Sequence, residues 1–499
     1  MEQSFGLLNS IVLFVYLAAM VLVGVYFSKK SSGSQDDYFK AGGRVPAWAA
    51  GFSIWATTLS AITFMATPAK AFSGNWVFAA GNLAILAVAP IVLIYFVPFF
   101  RNLNVTTAYE YLEQRFDVRL RTLSSLVFIL FHIFRVAIVI YLPTLAICAV
   151  SSLNPYFVSI IIGILCIIYT FLGGIEGVIW SDVIQGFILL VGAIFIILFA
   201  LNLMDWQVLS VVKDAAAQGK FLTADEFSFS LVADTVPLVF IGAIFTNLYQ
   251  YIGSQDVVQR YQSTSSIEEV KKSLIMNCKL AFATIFLFYG MGTVLYMYYT
   301  TTGAGALPAE MIGDQLVPYF ILTEIPAGIA GLIIAAIFAA SQSTISSSLN
   351  SISACFTVDI YNRLFGNEDD AKAVIFAKFV IIACGTLGTL MGLYFISAGQ
   401  SGILDLFQKV LGSLGGPVVG IFILGVFSSR TSGNAAFLGL IISGILVFVL
   451  QKVEMASYIY AIASVFSSTV IAYGLSYVWP NKKEIDGLTY KTLKAVEGA

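Results

Sequence analysis

Thirteen apolar runs follow one another along the 499-residue chain, at approximately 7–27, 47–71, 77–100, 122–150, 154–172, 178–203, 236–253, 272–299, 325–361, 372–397, 402–428, 433–451 and 457–479. Each is close to the ~20 residues a helix needs to cross the hydrocarbon of a bilayer. A chain so patterned must satisfy its backbone N–H and C=O groups internally, which leaves helices or a closed barrel, and runs of this length select helices. With 59% hydrophobic and 11% charged residues, against ~25% charged in soluble domains, the fold class is all-α and polytopic. The first run, Leu7 to Phe27, is too long for a signal-peptide core and lacks a small-residue cleavage site before a soluble domain, so it reads as a retained helix. The stretch from 204 to 235 has room only for a short surface helix around Trp206 to Ala217. No soluble domain is expected.

An odd number of crossings puts the termini on opposite sides, and loop charge says which. With the N-terminus outside, eighteen Lys and Arg fall to the cytoplasm, among them Lys29, Lys30, Arg115, Arg119, Lys271, Lys272, Lys482 and Lys483. Only Lys213, Lys220 and Lys452 stay outside. Lys279 and Lys378 are placed to snorkel, and Asp405 and Lys409 stand at i,i+4 spacing. Net charge is −2, with no basic tract to suggest nucleic acid. His132 is the single histidine, and Cys148, Cys166, Cys278, Cys355 and Cys384 show no metal spacing. Such a chain has little material for a histidine-based catalytic or metal centre, and the reading is not an enzyme.

Arg135 lies near the middle of the run 122–150. An arginine at the centre of a membrane helix costs roughly 3 kcal/mol on insertion scales, so it must face a wet cavity or an anionic partner. That partner is either a ligand carboxylate or a structural group of the protein. The second run, AWAAGFSIWATTLSAITFMATPAKAF, is dense in Thr57, Thr58, Ser60 and Thr63 and can break near Ala56 to Ser60; backbone freed there is tolerable where it lines a cavity. Intact helix with hydroxyls bonded back to the backbone is the alternative. In the ninth run, Ala340, Ser343, Thr344 and Ser347 share one helix face, which suits either a hard cation or close helix packing. Asp182, in GGIEGVIWSDVIQG, is an ion-binding carboxylate or a helix-start residue, and Glu176 reads as the latter.

The segments DDYFKAGGRVPAWAAGFSIWATTLSAITF, GGIEGVIWSDVIQG, SQDVVQRY and AASQSTISSSLNS together resemble the sodium:solute symporter family along nearly the whole chain. TTLSAIT, FHIFRVAI and the thirteen runs make it most similar to the bacterial sialic acid symporters. The resemblance implies a LeuT-like core of two inverted five-helix repeats, about 47–203 and 236–428, with an extra helix at 7–27, two more within 433–479 and a cytoplasmic tail, 481–499. It implies a sodium site at Ala56, Leu59, Ala340, Ser343 and Thr344, and a second at Asp182, Ser343, Ser346 and Ser347. One or two sodium ions would then be carried. The sugar acid would meet Thr58, Ser60, Thr63, Phe78 and Asn82, with Arg135 pairing its carboxylate and Phe245 as an outer-gate aromatic. Asn82 stands where those symporters carry Gln, one methylene longer, which leaves open another small carboxylate or an amino acid as solute. A monomer in a bacterial inner membrane, N-terminus outside and C-terminus cytoplasmic, completes the expectation.

Overall fold

The computed structural model describes residues 5–28, 34–230, 232–301, 307–308, 313–398, 403–453 and 455–497, without the side chains of 403–409, 412–413 and 494–497. The expected Asp405/Lys409 pairing lies outside those described side chains. Helices dominate, and the one isolated β-bridge among the described residues joins Thr431 to Pro480. Nine helices there are long and apolar enough to cross a membrane, ten when a bent pair is taken as one span.

The helices that position the site are α1 (Leu7–Ser28), α2 (Ala47–Thr58), α3 (Ala61–Ser73), α4 (Ala79–Tyr95), α5 (Ala108–Arg115), α6 (Val118–Cys148), α7 (Pro155–Leu203), α8 (Val236–Leu248), α9 (Gln255–Gln262), α10 (Ile267–Thr301) and α11 (Ile329–Ala354). Helices α12 (Asp370–Ser397), α13 (Ile403–Phe427), α14 (Gly433–Leu450) and α15 (Ser457–Leu475) complete the bundle. The short surface helix is present as Val208–Ala217.

At 49 residues α7 would measure about 74 Å at 1.5 Å per residue, more than twice the ~30 Å hydrocarbon thickness. The sequence reads it as two runs, and the backbone divides at Gly174, with φ 54° and ψ −161°. Only glycine holds that conformation cheaply. Helix α11 is buried around its whole circumference from Ile333 to Ala354, as befits a helix at the centre of a bundle. It packs on α7, α6 and α1 and touches both α2 and α3.

The second run breaks where its hydroxyl-rich middle allows. Helices α2 and α3 meet at a 63° bend, with Leu59 (φ −96°, ψ 107°) and Ser60 extended between them. A second interruption was not anticipated from sequence. Helix α8 continues into one turn of π-helix, Tyr249–Gly253, and Ser254 (φ −96°, ψ 116°) separates it from α9.

Candidate ion and solute site

A helix that stops inside a bundle leaves its last carbonyls without partners from its own turn. At the end of α2 two of them turn to side chains: Ala56 O accepts from Ser343 Oγ at 3.2 Å, and Thr57 O accepts from Arg135 Nη2 at 3.0 Å. Ser343 Oγ is also 3.2 Å from Ala340 O, which Thr344 Oγ1 meets at 3.3 Å. Ala56, Ala340, Ser343 and Thr344 thus gather neutral oxygens across the α2–α11 contact, and Leu59 stands at the break beside them. Hard monovalent cations take such donors. Among the described residues no three His, Cys, Asp or Glu side chains converge on one point.

Asp182, fully buried on α7, reaches residues on both sides of the same contact, Thr57 and Ser347. Its Oδ2 accepts from Ser53 Oγ (2.5 Å), Arg260 Nη2 (3.0 Å), Thr57 Oγ1 (3.3 Å) and Ser347 Oγ (3.4 Å). Its Oδ1 has no hydrogen-bond partner among the described residues, an expensive state for a buried carboxylate oxygen. Ser346 donates to Ser343 O at 3.2 Å instead of to Asp182. Arg260, also fully buried, donates through Nε to Ser53 Oγ at 2.9 Å and through Nη2 to Ser347 Oγ at 2.5 Å. No reading of the sequence had given Arg260 a part in the site.

Arg135 is held by the protein in this conformation. Its Nη1 lies 3.0 Å from Asp256 Oδ2, in addition to its bond to Thr57 O. Asp256, in the first turn of α9, also accepts from Ser254 Oγ (2.5 Å) and Gln250 Nε2 (3.2 Å). The lone histidine is satisfied beside them, with Nδ1 3.1 Å from Ser348 Oγ and Nε2 3.4 Å from Ser254 Oγ. The structural group of the protein expected as one alternative partner is therefore present twice over, as the Thr57 carbonyl and the Asp256 carboxylate.

A cavity of about 160 Å³ opens at the α2–α3 break, lined by Trp55, Thr58, Leu59, Thr63, Gly81, Asn82, Ile85, Asn247, Tyr251, Ala281 and Thr284. Three of the six expected solute residues, Thr58, Thr63 and Asn82, are on its wall. Ser60 instead caps α3, accepting from Thr63 N at 3.4 Å. Phe78 precedes α4 beneath the Lys70 ammonium, 3.7 Å from its ring centre. Arg135 is outside the lining. Phe245 lines a separate small crevice with Thr246, Tyr249, Leu411 and Ser464. Asn247, Tyr251 and Thr284 were missed in the sequence; polar positions in GAIFTNLYQY ahead of Gly253-Ser254 were the available signal for the first two.

Two curated bacterial relatives match most of the chain. The sodium/sialic acid symporter NanT of Aliivibrio fischeri is 45% identical over 491 residues, 98% of this chain and 97% of that protein. The sodium/sialic acid symporter SiaT of Proteus mirabilis is 48% identical over 442 residues, 88% and 89% respectively. A solved structure of a Na+-coupled sialic acid symporter, substrate-bound and outward-open, superposes with a TM-score of 0.90 at 44% identity, covering 96% of this chain and 100% of that one. The expected LeuT-like transporter fold is the fold observed. The model of the sodium:solute symporter family matches residues 38–443, and the chain belongs to that family.

Proposed function

We propose that the chain is a secondary active transporter, not an enzyme, that carries a sialic acid such as N-acetylneuraminic acid into the cell with sodium by alternating access. The observation that carries the reading is the meeting of Ala56 O, Ala340 O and the Ser343 and Thr344 hydroxyls at the broken α2–α3 helix, the kind of midplane discontinuity around which such transporters work. The two relatives named as sodium/sialic acid symporters support the solute.

In this reading sodium takes those oxygens together with Leu59. A second sodium takes Asp182, Ser343, Ser346 and Ser347, which the unpartnered Asp182 Oδ1 supports. Thr58, Thr63 and Asn82 meet the sugar from the cavity wall. Ser60 and Phe78 stand close in sequence to that wall, and Arg135 pairs the carboxylate after leaving Asp256, since a planar guanidinium suits bidentate carboxylate binding. Phe245 acts as outer-gate aromatic. Sodium at the Ala56 site orders the break, holding Thr58 and Thr63 for the solute.

Thirteen crossings, inverted repeats over about 47–203 and 236–428, a monomeric unit and an inner-membrane setting with the N-terminus outside complete the proposal. The loop charges support that orientation. Each inward sodium gains roughly 2.3 kcal/mol per 100 mV of inside-negative potential. With one sugar anion, net charge per cycle is −1 plus the number of sodium ions, so two ions give an inward positive current and one gives none.

The second reading, a symporter of another small carboxylate or an amino acid, rests on Asn82, whose amide reaches one methylene less far than Gln. Uptake of labelled N-acetylneuraminic acid into proteoliposomes under an inward sodium gradient decides between them. Accumulation abolished by Arg135→Ala supports the proposal. Sodium-driven uptake of a monocarboxylate or amino acid, with none of the sugar acid, replaces it by the second reading.

A further inference from the structure

Two buried arginines, Arg135 and Arg260, and two buried carboxylates, Asp182 and Asp256, are linked by ion pairs and hydrogen bonds. Arg260 already stands on two of the residues assigned above to a second sodium, 3.0 Å from Asp182 Oδ2 and 2.5 Å from Ser347 Oγ, and leaves Asp182 Oδ1 to the ion. An ion binding Asp182 Oδ1 and Ser347 competes with the guanidinium for the Ser347 hydroxyl and for the single charge of the carboxylate. Asp256 lies four residues earlier than Arg260 on α9, hence on the same helix face, and Arg260 Nη1 already donates to its main-chain carbonyl. The Asp256 carboxylate is held meanwhile by Arg135 at 3.0 Å. The circuit closes through Thr57, whose carbonyl binds Arg135 and whose hydroxyl touches Asp182 (3.3 Å) and Ser347 (2.9 Å).

The formal charges of Asp182, Arg260, Asp256 and Arg135 sum to zero. Sodium alone, or a solute carboxylate alone, leaves this buried group with a net charge, which low-polarity surroundings penalise heavily. The sodium at Asp182 and the solute carboxylate together restore neutrality, while the sodium at Ala56 rests on neutral oxygens outside the four residues.

We propose that the four residues form a charge-exchange relay: sodium at Asp182 turns Arg260 toward Asp256, and Arg260 there releases Arg135 to the solute carboxylate. The relay rests on the second-sodium and Arg135 assignments of the proposed function and adds how the two sites are coupled. Sodium and anion then favour each other's binding through a chain of exchanged ion pairs, and linkage makes the effect reciprocal.

The test is equilibrium binding of N-acetylneuraminic acid and of its methyl ester to the purified full chain, by titration calorimetry across sodium concentrations below saturation. In the native protein the slope of log affinity against log sodium should be larger for the acid than for the ester by about one. Equal slopes, with the acid still the tighter ligand, overturn the relay and leave the carboxylate assignment standing. Equal affinities of acid and ester overturn the carboxylate assignment, and the relay with it. In Asp256→Asn the slope for the acid should fall by about one, because Arg135 is no longer held when sodium is absent. An affinity loss of the same factor at every sodium concentration, with the slope retained, makes Asp256 purely structural and overturns the relay. Where the ester is too weak to titrate, the Asp256→Asn slope decides, and where that variant fails to fold, the native comparison does.

Discussion

Asp182 on α7 and Arg260 on α9 form an ion pair, 3.0 Å between Oδ2 and Nη2, with neither side chain exposed to solvent. Removing one partner of such a pair leaves a buried charge uncompensated, at a cost of about 3–5 kcal/mol. Asp182→Asn or Arg260→Gln is therefore expected to lower the thermal midpoint strongly. The double variant Asp182→Asn with Arg260→Gln should lose less than the sum of the single changes. Thermal unfolding in detergent checks this, and additive losses would show that the two side chains are not energetically coupled.

Ser343 bridges Ala56 O and Ala340 O, whereas Thr344 meets only Ala340 O among the same carbonyls. Loss of either hydroxyl should weaken sodium by about 1–3 kcal/mol, the range for one lost polar partner, and Thr344→Ser should retain native behaviour. The sodium concentration giving half-maximal uptake is the readout. An unshifted value in Ser343→Ala would place the ion elsewhere.

Asn82 lines the cavity, so its shorter amide should act on solute affinity rather than on sodium. Asn82→Gln is expected to change the apparent affinity for N-acetylneuraminic acid by several-fold, with the half-maximal sodium concentration little moved. Competition by a panel of small carboxylates and sugar acids would reveal a changed order of preference.

Glu113 on α5 is ion-paired to Arg121 (2.8 Å) and Arg363 (2.6 Å). Partial burial disfavours its charge, but the two guanidiniums outweigh it and hold the carboxyl below its ordinary value of 4.5. A carboxylate depressed on folding stabilises the fold fully above its unfolded value and loses that contribution as pH falls through the folded one. The difference in thermal midpoint between the native chain and Glu113→Gln should therefore be present at pH 7 and shrink on acidification below about 4.5. A difference independent of pH would argue that the ion pairs contribute nothing.

The sequence by itself determined the all-helical membrane class, because only helices satisfy the backbone of twenty-residue apolar runs in hydrocarbon. It also located the break in the second run, since Thr57, Thr58 and Ser60 offer local partners to freed backbone groups, and it singled out Asp182 and the Ser343 face. These signals are local and survive without knowledge of neighbours. The break at Ser254 was hidden because YQYIGSQD sits at the end of an apolar run, where a helix end is expected anyway. Tertiary structure alone decided that Arg260, remote in the chain, stands on Asp182, and that Arg135 is taken up by Asp256. Residues 78 and 121 positions apart carry no mutual sequence signature. Which carboxylate neutralises which guanidinium follows from how α6, α7 and α9 pack, where each buried charge must find its counter-charge among whatever the bundle brings within reach.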